Sequence, residues 1–457
     1  MKIIILGAGQ VGGSLALSLA DESNDITLVD NNARVLREIQ DRADLQTIIG
    51  KASLPSVLAR AGAKDANMIV ALTSSDETNM VACQIAYTLF HIPTKIARVR
   101  TVDYLNYKDL FVQDALPIDV LISPELLVSK YVQNLIEHPG ALQVLNFANG
   151  KVQLVAIRIH SDSEQVGKLI SDVFDEEKSE YSSAVAIYRG QRSMTIDETT
   201  RFEGGDDLFF IAATEHAKDI TTAIQGLDKP NRNVLIAGGG NIGSQLAHML
   251  EHHFRVKIIE RDADRSRYLA ESLDKAIVLQ GDAADEEMLV EENIDAVDVF
   301  CSLTNDDEAN ILSAMLAKRL GARKVMSLIN RPSYVELVES GMIDIAISPQ
   351  QVTIGALLAH IRRGDVVAVH SLRKGAAEAI EAVAHGDAKT SKVVGRKIAD
   401  LKLPKGAIIA ALVREDQVVI CKQDLVIESE DHVIMFLTDK NKINEVERLF
   451  QVSATFL

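Results

Sequence analysis

The sequence has no tryptophan, and aromatic residues make up only 4% of its 457 positions. Its cores must therefore be filled by aliphatic side chains, and a 47% hydrophobic fraction is enough for several of them. No apolar run approaches the ~18–20 residues of a membrane span, which argues against an integral membrane protein. The three cysteines, Cys83, Cys301 and Cys421, are dispersed in apolar surroundings. That excludes a disulfide framework or a cysteine metal site, and it predicts buried thiols in a reducing compartment. The first residues run straight into a predicted strand with no signal-peptide pattern, which adds to the expectation of a cytoplasmic location. Basic residues are also short: 48 Lys and Arg stand against 65 Asp and Glu, for a formal net charge of −17. Such a balance disfavours nucleic acid as a partner and electrostatic docking to anionic lipid.

Glycine is where the sequence becomes specific. Gly7, Ala8, Gly9, Gln10, Val11 and Gly12 follow the apolar run Lys2 to Leu6, and Gly238, Gly239, Gly240, Asn241, Ile242 and Gly243 follow Asn233 to Ala237. Each GxGxxG stands after a strand-like run and opens a helix-like one. One copy is weak evidence, whereas two in the same context are strong. The first glycine permits a tight turn and the second lets backbone approach a pyrophosphate. The third lets helix and strand pack closely, so that the helix N-terminus faces the anion.

The loops lie 238 − 7 = 231 residues apart, and other landmarks recur near that offset. Val29-Asp30 matches Ile259-Glu260, Gly50-Lys51 matches Gly281-Asp282, and Leu72 to Asn79 matches Leu303 to Asn310. Ser123-Pro124 matches Ser348-Pro349. The chain is thus a tandem duplication of a domain-sized module, far longer than the ~20–50 residues of a solenoid unit. Within each module, barely alternating apolar strands separated by helices indicate a parallel sheet covered on both faces. Short, antiparallel-looking segments follow, with Asn149-Gly150 as a hairpin turn. The predicted class is α/β: two tandem Rossmann-like, doubly wound parallel-sheet domains, each followed by a small α+β subdomain. The expected boundaries are 1–125, 140–226, 233–350 and 365–457, with the linker between halves at Asp228 to Asn231. After each Ser-Pro, apolar residues recur at helical spacing: Val128, Tyr131, Val132, Leu135, and Ile354, Leu357, Leu358, Ile361. The stripe fits a helix in its own module's core or a crossover helix that packs on another module.

Asp30 and Glu260 stand ~20 residues past the loops, where a carboxylate accepts hydrogen bonds from both ribose hydroxyls of an adenosine. Such an acid repels a 2′-phosphate, so NAD or NADH is expected over NADP, while ATP and ADP remain admissible. Thr73 and Ser74, with Thr304 and Asn305, fall at the carboxyl edge by the switch point. They line the pocket or cap the following helix. Arg98 and Arg100 lie near the end of the fifth strand and can reach a phosphate or pair with carboxylates; half two has Leu328 and Asn330 in roughly these places, then Arg331. Lys51 and Asp282 border the adenine with opposite charge. The two pockets are therefore unequal. His248 and His252 have metal spacing on a helix, but with no third ligand evident they read as an exposed polar face. No concentrated set of histidine, lysine or cysteine marks a catalytic centre.

These paired loops and strand ends, with Ala82-Cys83-Gln84, His138-Pro139-Gly140, Ala314 to Arg319 and Arg373 to Gly386, resemble the peripheral subunits of bacterial Trk potassium-uptake systems. The resemblance covers essentially the whole chain. It implies two RCK-type modules, of which four copies of the chain place eight in a ring. It further implies attachment to the cytoplasmic face of the inner membrane, on a potassium-transporting integral membrane subunit whose conduction nucleotide binding controls. The loop glycines and the acids Asp30 and Glu260 carry over as the nucleotide-binding set. The alternative from another class is an NAD-dependent oxidoreductase with a duplicated cofactor domain.

Overall fold

A computed structural model describes all residues except 21–23, 175–177, 191, 195, 227–230, 339–342, 362–365, 373–376, 440–441 and 452–457. The expected linker residues 228–230 and the stretch 373–376 lie outside the described residues. The first sheet comprises β1 (Lys2–Leu6), β2 (Asp25–Asp30), β3 (Gln46–Ile49), β4 (Met68–Ala71), β5 (Thr94–Arg98) and β6 (Val120–Ile122), in the order β3-β2-β1-β4-β5-β6. All neighbours are parallel. Ile3, Ile4, Ile5 and Leu6 are buried because helices cover both faces of β1. The strand order reverses between β1 and β4, and in doubly wound sheets ligands bind beyond the carboxyl ends of the strands at such a point.

The second sheet is antiparallel: β7 (Ala141–Phe147), β8 (Val152–Arg158), β9 (Ser182–Arg189), β10 (Arg192–Met194) and β11 (Asp206–Ala213), in the order β10-β9-β11-β8-β7. Asn149 and Gly150, at φ 55° and 87°, turn the β7–β8 hairpin as their residue types predict. The third sheet repeats the first with β12 (Asn233–Ala237), β13 (Arg255–Glu260), β14 (Ile277–Gln280), β15 (Val299–Ser302), β16 (Lys324–Leu328) and β17 (Ile345–Ile347), ordered β14-β13-β12-β15-β16-β17. The fourth is antiparallel: β18 (Val366–Leu372), β19 (Ala377–Ala384), β20 (Ala407–Arg414), β21 (Gln417–Ile420) and β22 (Asp431–Leu437), ordered β18-β19-β22-β20-β21.

These elements form two compact bodies, residues 1–127 with 349–360 and residues 128–348 with 361–457. The Pro349–Ile361 helix begins in the first body, where Gln350 donates to Ser14 on the Gln10–Ala20 helix. The Pro124–Glu137 helix continues into the second body, where Ser129 Oγ donates to the Ile242 carbonyl at 3.1 Å. Each post-Ser-Pro helix therefore meets the helix that follows the other repeat's glycine loop. Of the two readings of the helical stripe, the crossover holds.

In the second body the two antiparallel sheets share one core, in which Phe147, Phe209 and Ala156 pack with Phe436, Ala379 and Ala411. Phe209 and Phe436 lie 5.6 Å apart between ring centroids. Full burial of such a side chain contributes about 2–3 kcal/mol. Polar bonds fix the seam: Glu381, buried on β19, accepts the Ala148 N–H at 2.8 Å and meets His432 Nδ1 at 2.6 Å. Each sheet also carries an arginine fork on a fully buried aspartate, Arg189 on Asp206 and Arg414 on Asp431. Leaving such a carboxylate unpaired is strongly unfavourable.

Candidate functional site

β1 ends at Leu6, and Gly7 turns the chain at φ 101° while its N–H donates to the Val29 carbonyl at 2.8 Å. Gly238 repeats this at φ 107°, donating to Ile259 at 2.9 Å. A Cβ on Gly12 would stand 2.0 Å from the Gly7 carbonyl oxygen, and one on Gly243 1.9 Å from that of Gly238. Only glycine lets the helix start this close to the strand end. Around Gly9 and Gly240 the opposite holds, since a Cβ there meets nothing within 4 Å. That free space lies before the first turns containing Gln10 and Val11, or Asn241 and Ile242. Backbone N–H groups at helix starts have no intrahelical partner, so they form an anion cradle.

The carboxylates close onto these loops. Asp30 accepts the Ala8 N–H at 2.6 Å and the Asn32 N–H at 2.8 Å. Glu260 accepts from Gly239 at 2.7 Å and from Asp262 at 2.8 Å. Both are half-buried and lie at the strand end beside the loop, within the body that carries that loop. The sequence spacing thus brings loop and acid together in both repeats.

Thr73 and Thr304 do not cap helices. The N-caps are Ser75, whose Oγ accepts from Thr78 N, and Asp306, whose carboxylate accepts from Ala309 N. Thr73 Oγ1 instead donates to Asn79 Oδ1 at 2.7 Å, and Thr304 Oγ1 to Asn310 Oδ1 at 2.6 Å. Asn79 and Asn310 are fully buried braces, and each also donates to the strand on the other side. Their signal in the sequence was the asparagine repeated at offset 231. Ser74 and Asn305 are exposed past the ends of β4 and β15, and Lys51 and Asp282 are exposed after β3 and β14.

Arg98 Nη2 donates to the Thr73 carbonyl at 2.7 Å, while its Nε is buried without a hydrogen-bond partner among the described residues. Burial, and then the neighbouring Arg100, pull the Arg98 guanidinium below its usual pKa range. Arg100 Nε donates to Glu125 at 2.8 Å. A residue missed in the sequence is Arg265, whose Nε donates to the Gly239 carbonyl at 2.7 Å. Its counterpart at offset 231, Arg34, pairs with Glu38 instead.

The histidine pair separates. His248 faces Glu251 at 3.3 Å, and His252 lies past the helix end near Asp274 at 3.9 Å. Glu251, His252 and Asp274 come together, but Glu251 already accepts from the Lys275 and Ala276 N–H groups, as a structural cap would. Cys83 and Cys301 are buried as expected, whereas Cys421 is only partly so. Burial pushes all three thiols up to about 12, which removes the thiolate a nucleophile requires.

The TrkA-N domain matches residues 3–124 and 234–349, and the TrkA-C domain matches 388–451. The chain is similar to the Trk system potassium uptake protein TrkA of Vibrio alginolyticus, 55% identical over 458 residues and covering all of both chains. The Haemophilus influenzae protein of the same name is 51% identical, again over all of both chains. Among solved structures, the GsuK RCK domain shares the fold at a TM-score of 0.61 and 17% identity, covering 98% of this chain and 94% of that one. The GsuK channel bound to NAD gives a TM-score of 0.61 at 17% identity, covering 98% and 78%. Among the described residues, no helix is long and apolar enough to cross a membrane.

Proposed function

The chain belongs to the TrkA family of Trk-system potassium uptake proteins, and we propose that it is a nucleotide-sensing regulatory subunit acting on a potassium-transporting membrane subunit. Membership of that family sets aside the oxidoreductase alternative. The observation that carries the proposal is the duplicated cradle: two glycine loops, each with open space before a helix start and each bonded to a carboxylate. Adenosine ribose hydroxyls match the carboxylate and a pyrophosphate matches the cradle, so NAD, NADH, ATP and ADP are the ligand class.

The mechanism is linkage. A ligand that binds two shapes of an assembly unequally shifts their balance, and a coupling of ~1–3 kcal/mol suffices for a clear regulatory effect. The assembly is a ring of four chains, hence eight modules, on the cytoplasmic face of the membrane. Exposed apolar residues at matching places in the two repeats, Val81 and Leu312, support a ring of like modules. The test is a titration of the purified chain with NADH, NAD, ATP and ADP, by calorimetry with a mass readout of assembly size. Saturable binding on a tetramer-sized particle, without consumption of the nucleotide, is expected. No binding, or steady turnover of NADH, would overturn the reading.

A further inference from the structure

The two pockets share a backbone and differ in the side chains at one end. Asn79 Nδ2 donates to the carbonyls of Thr73 and Arg98, and Asn310 Nδ2 to those of Thr304 and Leu328. Asp76 accepts the N–H groups of Arg100 and Thr101, and Asp307 those of Asn330 and Arg331. These bonds pair Arg98 with Leu328 and Arg100 with Asn330, because the same backbone positions are held in the same way.

The first pocket thus carries two guanidinium groups where the second has a leucine 3% exposed and an amide. Glu125 engages Arg100, but Arg98 holds only a carbonyl, and its buried Nε lacks a partner among the described residues. Arg98 is half-buried, and Asp76 and Glu125 act on it only at a distance, so an incoming anion would supply the direct charged partner that its guanidinium lacks among the described residues. The guanidinium lies beside the loop. It bonds the Thr73 carbonyl, and a Cβ on Gly7 would touch Thr73 N at 3.0 Å. In the strand order, β2 with its ribose acid lies on one side of β1, and β4 and β5 lie on the other. A nucleotide anchored at Asp30 therefore brings to Arg98 whatever follows its second phosphate. In a triphosphate that is another anion, and in a dinucleotide it is an uncharged ribose and then nicotinamide. In the second pocket Arg265 stands at the opposite, adenosine end against Gly239, and Arg331, next after Asn330, is turned to Glu308 and Tyr334.

Resting on the proposed nucleotide binding, we infer that the first pocket selects a nucleoside triphosphate through Arg98, and that the second, floored by Leu328 and Asn330, selects the dinucleotide. One chain then reads phosphorylation state and reduction state separately.

The test uses the full chain with one pocket blocked at a time. Gly240→Val fills the second cradle and Gly9→Val the first, each where the structure has open space. Calorimetric titration with ATP and with NADH should show the Gly240→Val protein binding ATP at least tenfold more tightly than NADH, and the Gly9→Val protein the reverse. Arg98→Leu added to Gly240→Val should cost at least tenfold in ATP affinity and leave NADH within threefold. Leu328→Arg added to Gly9→Val should raise ATP affinity, which keeps a readout should Arg98→Leu fold poorly. The same ATP-to-NADH ratio in both blocked proteins, or a ratio that neither substitution moves, overturns this inference and leaves nucleotide sensing intact. Absence of any binding by the unsubstituted chain defeats both.

Discussion

The two kinds of glycine in each loop should respond to the same small substitution in opposite ways. Gly12→Ala puts a methyl group 2.0 Å from the Gly7 carbonyl oxygen and 3.1 Å from its carbon. An ordinary contact needs over a further ångström, and the atoms that would have to move are backbone at a tight turn. Overpacking of this kind costs about 1–3 kcal/mol. Gly243→Ala, at 1.9 Å from Gly238, should behave alike. Gly9→Ala meets nothing within 4 Å and sits outside the left-handed region, so it should leave stability unchanged or raise it by about 0.4–1 kcal/mol. Its methyl group nevertheless enters the space through which a pyrophosphate reaches the N–H groups. Loss of one charge-assisted hydrogen bond there costs about 1.5–3 kcal/mol, or roughly 10- to 100-fold in affinity. Urea denaturation gives the first quantity and calorimetry the second, with the other pocket blocked. The reasoning fails if Gly9→Ala binds nucleotide as the parent does, or if Gly12→Ala unfolds at the parent's midpoint.

Three further outcomes are expected. NADPH should bind at least tenfold more weakly than NADH to either pocket, because Asp30 or Glu260 faces the 2′-phosphate, and Asp30→Ala should abolish that discrimination in the first pocket; equal affinities by calorimetry would refute the ribose role. Asn79→Ala should destabilise the first body by about 3 kcal/mol, since it removes bonds to the N–H, hydroxyl and carbonyl of Thr73 and to the Arg98 carbonyl, and a thermal melt within a degree of the parent would contradict this. His370 packs edge-on against Phe147, and burial pulls its pKa from 6.5 to about 4. The unfolded chain therefore binds the extra proton first, and stability falls as pH drops from about 6.5 to about 4, by at most about 3 kcal/mol. Urea midpoints measured against pH should show this slope in the parent and lose it in His370→Gln.

The duplication, both parallel sheets and the position of each loop and acid were legible in the sequence, because each depends on local chemistry. Apolar β-branched runs such as Ile3 to Ile5 have one comfortable home, a strand buried on both faces. A glycine at a tight turn leaves its mark at a fixed distance from the strand that precedes it. The Thr73 side chain was less legible, since its partner Asn79 is six residues on and becomes a partner only once the intervening helix folds back. β19 shows the limit most clearly. Ala377 to Ala384 is alanine and glutamate with few β-formers, and local propensity favours a helix. It is a wholly buried strand because small side chains let two sheets approach, and Glu381 finds His432 and the Ala148 N–H across the seam. Helix exchange was beyond sequence reading for a related reason. An apolar stripe specifies that a face must be covered, but not by which repeat, and two copies of one module offer nearly identical surfaces. The choice falls to contacts such as Ser129 with Ile242 and Gln350 with Ser14, made between residues more than a hundred positions apart, which exist only in the folded chain.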